Sequence, residues 1–333
     1  MDFRSDNTHG AHPAVAEALA EASRGRQSSY GADEYTARVR ERLSALFETE
    51  VEIFPVLTGT AGNALSVSAM TLPWGAVFCH EDAHIQRDEL GAVEFFSNGA
   101  KLFPLAGAEG KLPAEALDRS IHAVGEEGRT AVPCAVSVTQ ATEAGTLYSL
   151  DELRAIGEVA RGRGVGLHMD GARFANALVA LRCTPAELTW RGGVDVLTFG
   201  ATKNGAMAAE AIVVFKQELA RQLAPRWHRS GHRLSKMRFL SAQLDAYLAD
   251  DLWLRNARHA NAMAARLAAG LEDVLRPVQA NVVFARFSEE RAASLRERGF
   301  QFYEWPIFGA GAVRLVTGWS TTEADVDALL SSL

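Results

Sequence analysis

The sequence is poor in cysteine and in long apolar segments, and both shortages limit what the protein can be. Its three cysteines, Cys79, Cys134 and Cys183, are an odd number without a C-x-x-C spacing, which argues against a disulfide framework and a structural zinc site. Uninterrupted apolar stretches reach about five residues, whereas a membrane-spanning helix needs about 20. The chain is already charged at Asp2, so we expect no secretion signal. We therefore expect a cytoplasmic protein that does not bind membranes.

The sequence also lacks an excess of basic residues. Its 34 lysines and arginines stand against 41 acidic residues, for a formal net charge of −7. This balance argues against nucleic-acid binding, which depends largely on neutralising phosphates. Hydrophobic residues make up 48% and charged residues 23% of the 333 residues, proportions typical of a packed globular protein of one or two domains. An enzyme is the default expectation.

Lysine is scarce, which leaves few candidates for chemistry that needs an amine. Only five of the 34 basic residues are lysines. Lys101, Lys111 and Lys216 lie in polar or strand-edge contexts that favour solvation. Lys203 follows a predicted strand and is flanked by glycines, which let another group approach the backbone closely. Lys236, at a predicted helix start, is its rival.

Short apolar runs alternate with helical patterns from about residue 50 to residue 215. This alternation predicts an α/β fold with a mostly parallel sheet that is covered by helices on both faces. The predicted strands are Val51–Leu57, Ala76–Cys79, Val132–Val138, Val165–Met169, Val194–Phe199 and Ala211–Phe215, and a helix is predicted at Leu150–Arg163.

The later part of the sequence has a different pattern, which predicts a small C-terminal α+β domain. We expect a large domain over residues 1–240 and a small domain over residues 241–333, although no segment rich in proline and glycine marks the boundary. A long helical region covers residues 236–272. Two predicted strands follow, Val278–Phe287 and Ala312–Thr317, with a predicted helix between them at Glu289–Arg298.

Polar residues that follow the strands are candidates for a site, because ligands of an open parallel sheet bind beyond the carboxyl ends of its strands. After Leu57, the residues Thr58-Gly59-Thr60 open a helix, and the free N–H groups at a helix start favour a phosphate. The other interpretation is an ordinary turn with Thr58 or Thr60 as the N-cap. Neither G-x-G-x-x-G nor G-x-x-x-x-G-K-[ST] is present, so neither a dinucleotide fold nor a P-loop is supported.

Asp170 follows the strand that ends at Met169, and His168 lies two residues earlier on the same face of that strand. An aspartate in this apolar context needs a cationic partner. A structural pair with Arg173 across the turn would provide one. A metal site built on His168 and Asp170 lacks a third and a fourth ligand, so we expect no metal.

The phosphate-binding turn, Asp170 and Lys203 form a specific combination, because they follow strands of one parallel sheet in this order. They are what pyridoxal 5′-phosphate needs. A lysine amine forms a Schiff base with this cofactor, and a carboxylate keeps its pyridine nitrogen protonated, so that the ring can accept electrons. Each element alone is a weak signal, but the three together favour this cofactor.

Seven segments carry a resemblance to a known family: Phe3–Asn7, Tyr30–Asp33, Thr58–Asn63, Ala83-His84, His168–Arg173, Thr202–Gly205 and Val313–Thr317. They resemble those of low-specificity L-threonine aldolases, which belong to the aspartate-aminotransferase fold type (fold type I) of pyridoxal-phosphate enzymes. The similarity runs from about residue 3 to residue 320. It implies a mostly parallel seven-stranded sheet and a homotetramer, built as a dimer of dimers with active sites at the dimer interface.

The resemblance also implies which residues bind the cofactor. Lys203 would carry it, Asp170 would face the pyridine nitrogen, and His84 would stack on the ring. Its phosphate would be bound by Thr58, Gly59 and Thr60, and by Arg238 across a subunit interface.

For the substrate, the resemblance implies a carboxylate site formed by Arg173, Arg314 and Ser5, since a guanidinium binds a carboxylate through two parallel hydrogen bonds. Arg173 would also contact the cofactor, and Tyr30 would reach the pocket from the subunit interface. Without the resemblance, His84 would be a structural histidine, Arg314 an exposed arginine of an edge strand and Tyr30 a core residue.

One loop departs from the family. Many members have a histidine in the loop after the strand that ends here at Val138, whereas this chain has the residues Thr139–Gly145, which include Glu143. It is therefore open whether His84, Glu143 or a bound water takes the proton from the β-hydroxyl group of the substrate.

The resemblance predicts a carbon–carbon lyase. It would cleave L-threonine, L-allo-threonine and related β-hydroxy-α-amino acids such as phenylserine to glycine and an aldehyde. An alternative is a pyridoxal-phosphate-dependent β-eliminating lyase on another amino acid, which would use the same Lys203 and Asp170. Two further alternatives are a metal-dependent hydrolase built on His84, His168 and Asp170, and a relative without activity, which the presence of Lys203 disfavours.

Overall fold

The computed structural model describes residues 1–127 and 131–333. Its strands are β1 Glu52–Val56, β2 Gly75–His80, β3 Lys101–Leu105, β4 Val132–Thr139, β5 Gly166–Gly171, β6 Val196–Gly200, β7 Glu210–Val214, β8 Val282–Arg286, β9 Tyr303–Glu304 and β10 Ala312–Val316. Its helices are α1 Pro13–Ala22, α2 Glu34–Leu46, α3 Gly59–Met70, α4 His84–Arg87, α5 Ala92–Phe96, α6 Ala114–Glu127, α7 Leu150–Arg163, α8 Phe174–Leu181, α9 Gln217–Arg229, α10 Arg238–Leu248, α11 Leu252–Ala269, α12 Glu289–Glu297 and α13 Glu323–Leu330.

Seven strands form one sheet in the order β1-β7-β6-β5-β4-β2-β3. Five neighbouring strands of this sheet, from β6 to β3, are parallel, and β7 runs antiparallel to both β1 and β6. Every residue of β2, β6 and β7 is buried, because helices cover both faces, as the uniformly apolar runs predicted. The predicted α/β fold with a mostly parallel seven-stranded sheet is confirmed.

Helix α7 shows how closely local sequence signals can determine an element. It begins and ends where the sequence predicted. Ser149 accepts a hydrogen bond from the amide of Glu152, whose side chain accepts one from the amide of Ser149 in return, so a capping box starts the helix. Gly164, with a φ of +69°, ends it in the left-handed conformation that glycine adopts at little cost.

Strand β3 was not predicted from the sequence. Of its residues Lys-Leu-Phe-Pro-Leu only Leu102 is buried, and Pro104 cannot donate a backbone hydrogen bond. Both features fit its place at the edge of the sheet, where one side of the strand has no neighbour.

Three strands form a second, antiparallel sheet in the order β8-β10-β9. The N-terminal segment joins this part of the chain, since Phe3 packs in its apolar core and accepts a hydrogen bond from the amide of Val316. From there the segment continues to the large sheet, where Asn7 lines a cavity. The domain boundary at residue 240 stays a prediction.

No helix among the described residues combines the length and the apolar character that crossing a membrane requires.

Candidate active site

A cavity of about 310 Å³ lies at the carboxyl end of the parallel strands, where ligands of such sheets bind. It brings together six of the predicted site residues: Thr58, Gly59, Thr60, His84, Asp170 and Lys203. Glu143, which the sequence left as one candidate base, also lines it. Asn7, Leu57, Asn63, Ala172, Thr202 and Glu210 complete the lining.

The start of helix α3 forms one wall of the cavity. Thr58 is the N-cap, and its side chain accepts a hydrogen bond from the amide of Ala61 at 3.1 Å. The first-turn amides of Gly59 and Thr60 have no acceptor within the helix, so they are available to an anion. A Cβ atom added at Gly59 would meet open space, whereas one at Gly62 would lie 2.5 Å from Cγ2 of Thr198. The second glycine therefore lets α3 pack closely on β6.

Asp170 lies near the end of β5 and is buried. Its Oδ1 accepts a hydrogen bond from the amide of Ala172 at 3.0 Å, and its Oδ2 accepts one from Nδ2 of Asn63 at 2.9 Å. The alternative of a structural pair with Arg173 is wrong, because the guanidinium of Arg173 is paired with Asp6 instead. Asp170 thus keeps its carboxylate at the cavity.

His168 is fully buried, and hydrogen bonds occupy both nitrogens of its ring. Nδ1 lies 2.9 Å from Oγ of Ser137, and Nε2 lies 3.0 Å from Oγ1 of Thr198. Burial lowers the pKa of His168 to about 4, so the ring is neutral at neutral pH. Because both nitrogens already have hydrogen-bond partners, neither is free to bind a metal ion, which argues against the alternative of a metal site that uses His168.

Lys203 lies in a tight turn, Thr202–Asn204, that follows β6. The turn is anchored through Asn204, whose Nδ2 donates to the hydroxyl of Tyr247 at 2.7 Å and to the carbonyl of Trp253 at 2.8 Å. Gly205, with a φ of +117°, ends the turn in a conformation that favours glycine. Within the described chain, no residue accepts a hydrogen bond from Nζ of Lys203, and Lys236 is not part of the cavity lining.

A chain of hydrogen bonds connects His84 to Asp170. Nδ1 of His84 lies 2.8 Å from Oε1 of Glu89. Nδ2 of Asn63 donates to that same oxygen and to Asp170, at 2.9 Å in both cases. The hydrogen bond that His84 donates to Glu89 raises the pKa of His84, and burial raises the pKa of Glu89.

Sequence reasoning missed Glu89 and Asn63. Ligand atoms of His84, Glu89 and Asp170 lie within 4.8 Å of one another, a spacing that could hold a metal ion. Here the amide group of Asn63 lies between the two carboxylates and donates to both, so the geometry favours a hydrogen-bond network. The signal in the sequence was weak, because Asn63 is a single polar residue in a mostly apolar segment and Glu89 follows other polar residues, Gln86–Asp88.

The predicted carboxylate-binding residues lie behind the lining of the cavity. Arg173 is buried, and its Nε and Nη2 donate to the two carboxylate oxygens of Asp6 at 2.8 and 2.9 Å. Ser5 caps the turn that contains Asp6 and accepts a hydrogen bond from the amide of Asn7 at 3.2 Å. Within the described chain, neither Ser5 nor Arg173 belongs to the lining itself.

Arg314 lies on β10, the central strand of the small sheet, so the alternative of an edge-strand arginine is wrong. Its guanidinium lies 5.1 Å from the ring centre of Trp305. Its Nε is buried and has no hydrogen-bond partner among the described residues. Burial and the charge of Arg173 lower the pKa of Arg314. The buried Arg173 and the half-buried Arg314 act on each other, so together they create a site that favours an anion.

Tyr30 and Arg238 do not line the cavity in the part of the chain that the structure describes. The side chain of Tyr30 is 48% exposed, so the alternative of a core residue is wrong. Arg238 is the first residue of α10, and its Nε is buried without a partner among the described residues. Their roles at a subunit interface stay predictions.

Comparison with known proteins places this geometry in context. The sequence model of the beta-eliminating lyase family matches residues 2–290. A low specificity L-threonine aldolase from a Pseudomonas species is 42% identical over 338 residues, covering 100% of this chain and 97% of that protein. One from Pseudomonas aeruginosa is 45% identical over 326 residues, covering 96% of this chain and 93% of that protein.

Solved structures agree with these sequence matches. A threonine aldolase from Leishmania major superposes with a TM-score of 0.93 at 27% identity, covering 99% of this chain and 97% of that chain. An aspartate aminotransferase from Rhodobacter sphaeroides superposes with a TM-score of 0.70 at 18% identity, covering 100% of this chain and 90% of that chain. The latter similarity supports the fold alone.

Proposed function

The chain belongs to the beta-eliminating lyase family and, within it, to the low-specificity L-threonine aldolases, and on this premise we propose that it is a pyridoxal-phosphate-dependent aldolase. It cleaves L-threonine, L-allo-threonine and related β-hydroxy-α-amino acids, such as phenylserine, to glycine and an aldehyde. The observation that carries the proposal is that Lys203, Asp170 and the start of α3 line one cavity in a chain 45% identical to such an aldolase.

The residues of the cavity fit pyridoxal 5′-phosphate. Lys203 has a free amine, Asp170 offers a buried carboxylate, and the open space at Gly59 beside two free amides suits a phosphate. Oδ1 of Asn63 and Oε2 of Glu89 are buried without partners in the described chain, which indicates room for a polar ligand. When bound, this cofactor supplies an electron sink for the electron pair of the breaking Cα–Cβ bond.

The side chains of the protein itself would bind the cofactor and the substrate. Lys203 would hold the cofactor covalently, His84 would lie against its ring, and Asp170 would stabilise a proton on the pyridine nitrogen. Thr58, Gly59 and Thr60 would bind its phosphate. Arg173 and Arg314, with Ser5, bind the carboxylate of the substrate and orient its Cα–Cβ bond.

We assign the removal of the β-hydroxyl proton to His84. Its imidazole lines the cavity, and the hydrogen bond that it donates to Glu89 raises its pKa, so it binds a proton more readily than an isolated histidine. Glu143 is the weaker candidate, because its charge interacts with Arg173 and Arg314, which we assign to the carboxylate of the substrate and not to its β-hydroxyl group. The proton leaves the hydroxyl oxygen as the aldehyde forms, and Cα gains one as glycine forms.

Lys203→Ala tests the proposal. The wild-type protein with pyridoxal phosphate should produce glycine and acetaldehyde from L-threonine, and the variant should produce neither. Normal cleavage by the variant would overturn the assignment. A 2-oxo acid and ammonia instead of glycine and acetaldehyde would identify a β-eliminating lyase, the second candidate, which the matching family model supports.

We further propose a cytoplasmic homotetramer, a dimer of dimers in which Tyr30 and Arg238 of one subunit complete the pocket of another. The unpartnered buried Nε of Arg238 and the exposed apolar side chains of Leu57 and Met207 support an interface near the cavity. Mass photometry should give four times the mass of one chain. In Arg238→Ala, the tetramer should persist while affinity for pyridoxal phosphate falls.

A further inference from the structure

Glu210 is a buried acid in the wall of the cavity, and the proposed reaction gives it no role. It is the first residue of β7, the strand that runs antiparallel to its neighbours, and it is 6% exposed. A buried carboxylate is costly unless hydrogen bonds or a cation stabilise it. Its surroundings therefore indicate what it does.

The position of Glu210 follows from the strand register. It pairs with Gly200 at the end of β6, three residues before Lys203. Its Oε2 accepts a hydrogen bond from the amide of Ala201 at 2.8 Å. The neighbouring Thr202 adds to this anchor, because its hydroxyl accepts a hydrogen bond from the amide of Ala209 at 3.2 Å.

The lysine turn is thus held at both of its ends. Glu210 fixes the residue that precedes the turn, Ala201, and the last residue of the turn, Asn204, is fixed through its side chain by Tyr247 and Trp253. Lys203 lies between these two anchors, and its Nζ has no acceptor in the described chain. This arrangement limits the space in which the amine can move.

Two titratable groups among the described residues interact with the carboxylate of Glu210. One is the cationic amine of Lys203, in the turn after β6, and the other is the phenol of Tyr247, on α10. Burial raises the pKa of Tyr247, so the phenol stays neutral. Asp170 lines the same cavity, and the carboxylate of Asp6 also interacts with Lys203. Burial raises the pKa of Glu210 to about 7, although the charge of Lys203 opposes this change.

We propose that Glu210 is a positioning residue for Lys203, which fixes the turn that carries the lysine and sets the proton affinity of the lysine nitrogen by placing a carboxylate beside it. The inference rests on the proposed function. An ionised carboxylate stabilises a neighbouring cation, so it raises the pKa of the lysine nitrogen, free or bound to the cofactor. A purely structural acid would hold the turn without this electrostatic effect.

Two substitutions separate the hydrogen bond of Glu210 from its charge. Glu210→Gln keeps an oxygen that can accept the hydrogen bond from the amide of Ala201 but removes the negative charge. Glu210→Ala removes both the hydrogen bond and the charge. The matched control is Asp195→Asn, since Asp195 is also buried and accepts a hydrogen bond from the amide of Leu167 at 2.9 Å, but belongs to a different cavity, with Lys216.

The measurement is a spectrophotometric pH titration of the protein loaded with pyridoxal phosphate, without substrate. The visible absorption of the bound cofactor reports the protonation of the lysine nitrogen. We expect its midpoint to fall by about one pH unit in Glu210→Gln, as for loss of a nearby opposite charge, and to stay unchanged in Asp195→Asn. In Glu210→Ala, we also expect faster loss of the cofactor on dialysis.

Equal midpoints in the wild type and Glu210→Gln would overturn the inference. If Glu210→Gln does not fold, infrared spectroscopy of the wild type replaces it. The carboxyl band of a buried acid should then titrate near neutral pH, and its midpoint should move when borohydride fixes the cofactor on Lys203. An unmoved midpoint would overturn the inference. A wild type without visible absorption would instead contradict the proposed function.

Discussion

Asp6 and Arg173 form a buried ion pair with two parallel hydrogen bonds, although 167 positions separate them in the sequence. Their side chains are 1% and 6% exposed. Nδ2 of Asn281 also donates to Asp6, at 3.0 Å, and to the carbonyl of Thr317, at 2.7 Å. The pair therefore connects the N-terminal segment, the end of β5 and the residue before β8, and it fixes an arginine that we assign to the substrate carboxylate.

Asp6→Asn should weaken substrate binding more than it slows the chemical step. The amide cannot hold the guanidinium through two charge-assisted hydrogen bonds, so Arg173 gains freedom. We expect the KM for L-threonine to rise at least about ten-fold, with a smaller change in kcat. Asp2→Asn is the control, because Asp2 forms a similar but only half-buried pair with Arg4. An unchanged KM in Asp6→Asn would contradict this role.

The same pair predicts how stability depends on acid. Burial raises the pKa of Asp6, but the charges of Arg173 and Lys203 outweigh it and hold the pKa at about 2, below the ordinary 3.8. The resulting stabilisation, about 2 kcal/mol, is complete above pH 4 and is lost as the pH falls through 2. Urea denaturation between pH 5 and 2 should show the difference between the wild type and Asp6→Asn shrinking across this range. A constant difference would contradict the ion pair.

Glu89→Gln should move the acid limb of the kcat profile to lower pH. His84 must be neutral to accept the β-hydroxyl proton, and its pKa is raised by the hydrogen bond that it donates to Glu89. Removal of that charge lowers the pKa of His84, so the neutral form persists at lower pH. Glu81→Gln, in the same part of the chain but exposed, is the control and should leave the profile unchanged. An unmoved limb in Glu89→Gln would exclude His84 as the titrating base.

Gly62→Ala should destabilise the protein and weaken cofactor binding together. The new Cβ atom would lie 2.5 Å from Cγ2 of Thr198, so α3 would have to move away from β6. We expect a loss of about 1–3 kcal/mol in the free energy of unfolding by urea. Gly162→Ala is the control, because a Cβ atom there, within α7, meets nothing within 4 Å. That variant should be stabilised by about 0.5–1 kcal/mol. Equal stability of the Gly62→Ala variant and the wild type would show that α3 can shift freely.

The sequence predicted the features that depend on local patterns. Apolar runs predicted the strands of the large sheet, and the residues after them predicted where Thr58, Asp170 and Lys203 lie. Edge strand β3 was missed, because it begins with a lysine and contains Pro104, so it does not form the uninterrupted apolar run of an inner strand.

The partners of the site residues could not be predicted in the same way. Asn63 reaches Asp170 across 107 positions, and Arg173 is paired with Asp6 instead of the nearby Asp170. Glu210 meets the lysine turn because β7 runs antiparallel to β6, a feature that apolar content does not reveal. Such pairs depend on how distant segments pack, so only the folded structure identifies them.

The most direct test of the account is mass spectrometry of the protein after reduction with borohydride in the presence of pyridoxal phosphate. The account predicts one stable adduct per chain, on the peptide that contains Lys203, and none in Lys203→Ala. An adduct on Lys236 or another residue, or no adduct at all, would contradict it.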